Sequence, residues 1–167
     1  RYGNVMGSSG SVIPKFIRQI RNKQKITITD PSMTRFTITM NEALKFIIES
    51  ITISKGSEIF VPKLRAYTIS DLKDAVIELL EDTGEENIPV RTGEKTHEVL
   101  IDSDEMRSTW ESEKNYVIFN PQQDTQFIQS KYPQLKRVSS TESYSSKNAK
   151  RISKDEIKEM IIDAELI

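Results

Sequence analysis

The 167 residues suffice for one domain with a core of its own, and 24 Lys and Arg nearly cancel 25 Asp and Glu. No global field is present to hold nucleic acid or an anionic membrane, so neither is an expected partner. The chain has no cysteine and a single histidine, His97, which excludes a disulfide scaffold, a thiolate nucleophile and a His-rich zinc centre.

No apolar run reaches the roughly 18 residues of a membrane span, and no signal peptide is seen. The expected location is cytoplasmic. The chain opens at Arg1, without Met, in a strand-like Arg1-Tyr2-Gly3-Asn4-Val5-Met6. We read it as part of a longer polypeptide.

After that strand, Gly7-Ser8-Ser9-Gly10-Ser11 is a loop of small side chains, with Ser11 placed to cap a helix. Val12, Ile13, Phe16, Ile17 and Ile20 then share one helical face, and Pro14 falls in the first turn, where it is tolerated. Ile26-Thr27-Ile28-Thr29 alternates like a strand, and Asp30-Pro31-Ser32 is a turn. Thr39-x-x-Glu42 is a capping box ahead of a stripe at Met40, Ala43, Leu44, Ile47, Ile48 and Ile51, with Gly56 as the stop.

A short strand follows at 58–62. Thr68-x-x-Asp71 opens a helix striped by Leu72, Ala75, Val76, Leu79 and Leu80, which Gly84 ends. Ile88-Pro89-Val90 is extended, and a polar turn surrounds Gly93. Strands are expected at 98–101 and 116–119, with a short helix over 102–109 between them. The 122–150 segment loses periodicity and reads as an irregular surface arm. Ser153-x-x-Glu156 then caps a last helix. The expected division is 1–121 as the binding part and 122–167 as an arm with a terminal helix.

Three segments place polar residues where a ligand could use them. Asn4 lies at the end of the opening strand, and the amides of residues 7–11 precede a helix, the arrangement that receives phosphate. A glycine turn that merely caps a helix reads equally well from the spacing. Arg35 sits between Met33 and Phe36; its guanidinium suits a pyrophosphate or a pairing with Asp30. Arg91-Thr92-Gly93-Glu94 could present a cation to phosphate and a carboxylate to a ribose diol, or form a solvated hairpin.

His97 lacks an evident orienting partner and reads as structural. Tyr132-x-x-x-Lys136 has the spacing of a dehydrogenase Tyr/Lys pair, but Pro133 follows the tyrosine directly, so it is set aside. Trp110, Tyr116 and Phe119 read as packing. No G-x-G-x-x-G, P-loop or paired acid–base constellation is present. These signals alone describe an α/β chain that binds a small anionic ligand.

In order, the segments Arg1 to Pro14, Ile28-Thr29-Asp30-Pro31-Ser32-Met33-Thr34-Arg35-Phe36, Glu58 to Lys63, Gly93 to Ile101, Tyr116-Val117-Ile118 and Tyr144-Ser145-Ser146 resemble the UDP-N-acetylglucosamine 4,6-dehydratases, which are extended short-chain dehydrogenases. The resemblance implies the C-terminal part of a Rossmann-like α/β fold, mainly its mixed α/β substrate-binding subdomain. It implies an N-terminal half that holds NADP or NAD and the catalytic Asp-Lys and Tyr-x-x-x-Lys pairs. The implied reaction oxidises the sugar at C4, loses the C5 proton, eliminates water across C5 and C6, and returns hydride to C6 with C5 inverted.

Carried onto this chain, the resemblance makes Asn4, Thr34, Arg35, Arg91 and Glu94 the substrate-binding residues. Asn4 lies near the phosphates, Arg35 and Arg91 on the pyrophosphate, Glu94 on the ribose, and Thr34 beside the uridine. Catalytic residues and metal ligands are not expected in this chain. It implies a UDP-sugar as partner and a homo-oligomer for the whole enzyme. Ser9, Thr92 and Thr96 depart from the family's usual Arg, Pro and Leu. Rival readings are a UDP-sugar 4-epimerase, a dehydratase that also epimerises C5, and a non-catalytic nucleotide-sugar-binding domain.

Overall fold

The computed structural model describes residues 1–167. Helix α1 (Val12–Arg21) forms where the sequence pattern predicts it and buries Ile13, Phe16, Ile17 and Ile20, while Arg18 and Arg21 suit the negative end of its dipole. Ser11 stands at the N-cap, but its hydroxyl makes no capping bond and is buried without a partner. Strand β1 (Ile26–Ile28) turns Ile26 and Ile28 inward and pairs in parallel with β5 (Glu85–Asn87). That partner was not foreseen, because Glu85-Glu86-Asn87 is exposed throughout and has no apolar face to signal a strand.

The Asp30-Pro31-Ser32 turn is held by Asp30 Oδ1, which accepts from the Ser32 amide (2.8 Å) and hydroxyl (2.7 Å). It leads into β2 (Thr34–Thr37), antiparallel to β4 (Arg65–Thr68) with Thr34 opposite Thr68 and Arg35 opposite Tyr67. The capping box at Thr39 and Glu42 is present and starts α2 (Met40–Ile53). Strand β3 (Ile59–Pro62) follows. Thr68 caps α3 (Ile69–Leu79), and the first amides of that helix donate to Met33 and Pro31 carbonyls, clamping the turn onto it.

The opening strand is a correction. Within 1–6 only Val5 bridges, in parallel with Ile38, and the Arg1 ammonium donates to the Phe60 carbonyl at 2.7 Å. A second correction concerns the arm. Strand β6 (Val99–Ile101), helix α4 (Ser103–Met106) and strands β7 (Thr109–Glu111) and β8 (Asn115–Ile118) are followed by an ordered helix, α5 (Thr125–Lys131), capped by Asp124. The chain then adds β9 (Lys136–Arg137) to β7, β10 (Tyr144–Ser145) to β6 and β11 (Lys150–Arg151) to β4, before α6 (Lys154–Asp163) packs on α3.

Residues 122–167 therefore supply side chains to all three apolar cores: Ile157 and Ile161 to the first, Tyr144 and Ala149 to the second, Ile128 and Tyr132 to the third. Polar composition hid this, because between 122 and 150 the buried apolar residues Ile128, Tyr132, Leu135, Tyr144 and Ala149 each stand alone among polar neighbours. Trp110 and Phe119 pack edge to face in the third core, as read from the sequence. Parallel and antiparallel strands mixed with six helices make the α/β class plain.

Candidate functional site

Beyond the carboxyl end of β1, between the start of α1 and the Gly93 turn, lies a cavity of about 190 Å³. Its wall includes Gly10, Val12, Lys15 and Phe16 from the α1 side, Thr27 and Ile28 from β1 with Thr29 just after it, Met33 and Arg35, and Arg91 and Glu94. Residues 35, 91 and 94, distant in sequence, thus share one hollow. Strand pairing explains Arg35: Thr34 and Phe36 point into the core, so the residue between them faces the other way. Gly93 takes a left-handed conformation (φ +83°) that brings the Glu94 amide to the Arg91 carbonyl at 3.0 Å.

Glu94 is fixed from two sides. Its Oε1 accepts from the Thr29 hydroxyl (3.1 Å) and its Oε2 from the Arg91 amide (3.2 Å). Arg35 Nη2 stands 3.8 Å from Glu94 Oε1, with side chains 14% and 25% exposed respectively. The Arg35 guanidinium also donates to the Thr34 and Thr96 carbonyls at 2.8 and 3.3 Å. Asp30 is occupied by Ser32 and is not the Arg35 partner; the Ser32 hydrogen bonds hold its carboxyl below the usual range. An arginine so braced keeps its planar face ready without losing further rotamer freedom.

Lys15 is a third cation at this wall, and the sequence reading passed over it. Its ammonium reaches the Thr27 carbonyl at 3.5 Å. Burial first, and then the charge of Arg91, push its pKa down, opposed by Glu94. Lys15 lies one helical turn past the Gly10-Ser11 loop, and Thr29 lies just past the carboxyl end of β1; of the two, only the Thr29 placement was legible as a ligand-facing position. Gly10 (φ +78°) has nothing within 4 Å of where a Cβ would be, so the loop leaves the cavity mouth open.

Asn4 and Thr34 do not line this cavity. Asn4 Nδ2 donates to Glu98 Oε1 (3.0 Å), whose other oxygen accepts from the Phe36 amide (2.9 Å). The Thr34 hydroxyl is buried between Ser146 Oγ (2.6 Å) and His97 Nδ1 (2.8 Å), and Ser146 Oγ also accepts from the Glu98 amide. Histidine, threonine and serine here stitch β2 to the segment after β10. Tyr132 is buried against Glu58 Oε1 at 2.6 Å, in the third core and away from the cavity. The amides of Ser8 and Ser11 are already spent on the Val5 and Ser8 carbonyls.

The family model described as polysaccharide biosynthesis protein matches residues 1–120. A UDP-glucose 4-epimerase of Rickettsia massiliae is 35% identical over 168 residues, spanning 100% of this chain and 49% of its own length. A UDP-N-acetylglucosamine 4,6-dehydratase (inverting) of Campylobacter jejuni is 42% identical over 119 residues, 71% of this chain and 35% of that protein. The X-ray structure of Pen from Bacillus thuringiensis superposes with a TM-score of 0.86 at 38% identity, over 100% of this chain and 50% of that one. The chain spans about half the length of the full-span relative and of Pen. With the family model spanning well over half of its residues, the chain belongs to the polysaccharide biosynthesis protein family.

Proposed function

We propose that the cavity binds the diphosphate–ribose portion of a UDP-sugar and that the chain is the substrate-binding part of a nucleotide-sugar-modifying enzyme. The observation that carries this is the convergence of Arg35, Arg91 and Lys15 on one wall with Glu94. Three cations match a diphosphate, and a carboxylate with two acceptor oxygens matches a cis-diol. Arg35 is the braced contact, Arg91 the exposed one that closes over the ligand, and Glu94 exchanges its Thr29 bond for ribose hydroxyls. Asn4, through Glu98, and Thr34, through Ser146, act as positioning residues for β2.

For the whole protein, the reading is a short-chain dehydrogenase acting as a 5-inverting UDP-N-acetylglucosamine 4,6-dehydratase, which the 42% identity favours. The second reading is a UDP-sugar 4-epimerase, which the relatives that align across the entire chain favour. The residues here do not fit a dinucleotide: no G-x-G-x-x-G loop leads a strand into a helix. NADP or NAD is assigned to the rest of the protein.

Calorimetry of UDP with the chain tests the cavity: saturable binding that Arg35→Ala weakens by more than about tenfold supports it, and binding indifferent to Arg35 and Arg91 sinks it. Incubating the whole protein with UDP-N-acetylglucosamine separates the reactions. A 4-keto-6-deoxy product marks the dehydratase, and conversion to the C4 epimer marks the epimerase.

A further inference from the structure

Two carbonyls brace Arg35, and both are held from behind by a buried cluster. Arg35 Nη1 donates to the carbonyls of Thr34 (2.8 Å) and Thr96 (3.3 Å). The Thr34 amide donates to the same Thr96 carbonyl at 3.0 Å, so one contact fixes the two acceptors relative to each other. Outside the cavity lining, the Thr34 and Ser146 side chains are buried against each other, Thr34 being 1% exposed and Ser146 0%. His97 follows Thr96 directly and is the chain's single histidine. Its Nδ1 completes the cluster at 2.8 Å from Thr34 Oγ1.

Counting protons in this cluster leaves one arrangement that satisfies every contact. The Thr34 carbonyl cannot donate, so its 3.0 Å contact with Ser146 Oγ uses the one serine proton. Ser146 Oγ then accepts from the Glu98 amide (2.9 Å) and, at 2.6 Å, from the Thr34 hydroxyl, whose own proton is thereby spent. Towards His97 the Thr34 oxygen can only accept, so Nδ1 carries the hydrogen. The opposite order, with Thr34 donating to a bare Nδ1, turns the serine proton onto Thr34 Oγ1. It sets two oxygen lone pairs against each other at 3.0 Å, in a place closed to water.

We infer that His97 is a positioning residue for Arg35. Its Nδ1–H donates into the Thr34–Ser146 pair, pins the 96–98 segment against β2, and so keeps both bracing carbonyls under the guanidinium. The ring is not part of the cavity wall, so it acts on a ligand only through Arg35. The effect on ligand affinity rests on the UDP-sugar reading; the ring tautomer and the brace do not.

A single histidine gives one unambiguous imidazole signal. Proton–nitrogen correlation spectra at about pH 8.5, where an imidazole is ordinarily neutral, are expected to show Nδ1 protonated and Nε2 bare. The reverse tautomer overturns the inference. His97→Asn places an amide N–H where Nδ1 stands, His97→Gln places it where Nε2 stands, and His97→Ala supplies none. With each variant shown to be folded by its thermal transition, the Kd for UDP is expected to rise about fivefold in the Ala and Gln variants, the loss of one hydrogen bond. In the Asn variant it is expected to stay within about twofold of the unaltered chain. An unchanged Kd in all three variants overturns the inference, and so does an equal rise in all three, which a merely structural ring would give. Should the variants not fold, the tautomer of the unaltered chain decides. Should the unaltered chain not bind UDP, the reading of the cavity fails separately, and the brace is read from rotation of the Arg35 guanidinium. Separate Nη signals, assigned with Arg35→Lys, that merge in His97→Ala and persist in His97→Asn support the inference; the same behaviour in both variants overturns it.

Discussion

Helices α1 and α2 carry equally plain apolar stripes and meet opposite fates. Phe16, Ile17 and Ile20 of α1 are almost fully enclosed by β1, α3 and α6, whereas Leu44, Ile48 and Ile51 of α2 face solvent. Periodicity states that a face is destined for burial; it does not say that the partner lies in the same chain. Where the partner is present the helix also walls a cavity: Lys15 lies on the turn that begins α1 and lines the hollow.

Several substitutions can break or sharpen this contrast. The largest effect is expected from Phe16→Ala, which removes a fully buried ring and should lower unfolding stability by about 3–5 kcal/mol in urea titrations. Ile48→Ala in the same assay should stay within about 0.5 kcal/mol. Comparable losses at both positions would mean that α2 is not free after all. Next, Arg35→Ala should weaken UDP binding by about 2–3 kcal/mol in calorimetry, because it removes a braced, mostly enclosed cation. Arg91→Ala should cost about 1 kcal/mol, since its side chain is exposed. Ile48→Ala should leave UDP affinity unchanged.

Ser146→Ala should destabilise the fold by about 1–2 kcal/mol, leaving the Thr34 hydroxyl and the Glu98 amide short of a partner. A pH-dependent effect concerns Glu58, just past the C-terminal end of α2. Burial by itself would raise its carboxyl, but hydrogen bonds from Tyr132, Ser54 and backbone amides outweigh it and bring the pKa to about 2. A depressed carboxyl stabilises the fold above its unfolded value near 4.5, and that contribution is lost as pH falls through about 2. Discounted for partial exposure, it amounts to about 1 kcal/mol. Glu58→Gln should flatten the stability curve across that interval of acid titration.

Much of the scaffold was legible because the helices punctuate themselves. The boxes at Thr39 and Ser153 and the Thr68 cap all form as the spacing implies. The strands were harder. Lys136-Arg137 and Glu85-Glu86-Asn87 pair through backbone alone, and no side-chain alternation betrays them. Helix α5 was hidden by Pro133 and by polar neighbours, although Asp124 is a usable cap signal.

For the site, Arg35, Arg91 and Glu94 could be named from their motifs, and the fold brings them to one wall. Lys15 could not be told from any surface lysine of an amphipathic helix until β1 was set beside it. Thr34 illustrates the reverse. Its neighbour's motif made it a candidate contact, but the strand's alternation turns its hydroxyl towards Ser146, which is 112 positions away along the chain.

The pairing of β2 with β4 decides more than local geometry. Arg35 stands opposite Tyr67, flanked by Thr34 and Phe36, which turn the other way. Slide that ribbon by a single step and a permanently charged guanidinium would be driven among Tyr144, Leu64 and Ala66, while the hollow would be left with a threonine or a benzyl group. Misregistered chains would therefore bury a charge and dismantle the cavity wall together, so one frame of pairing sets both the core and the hollow.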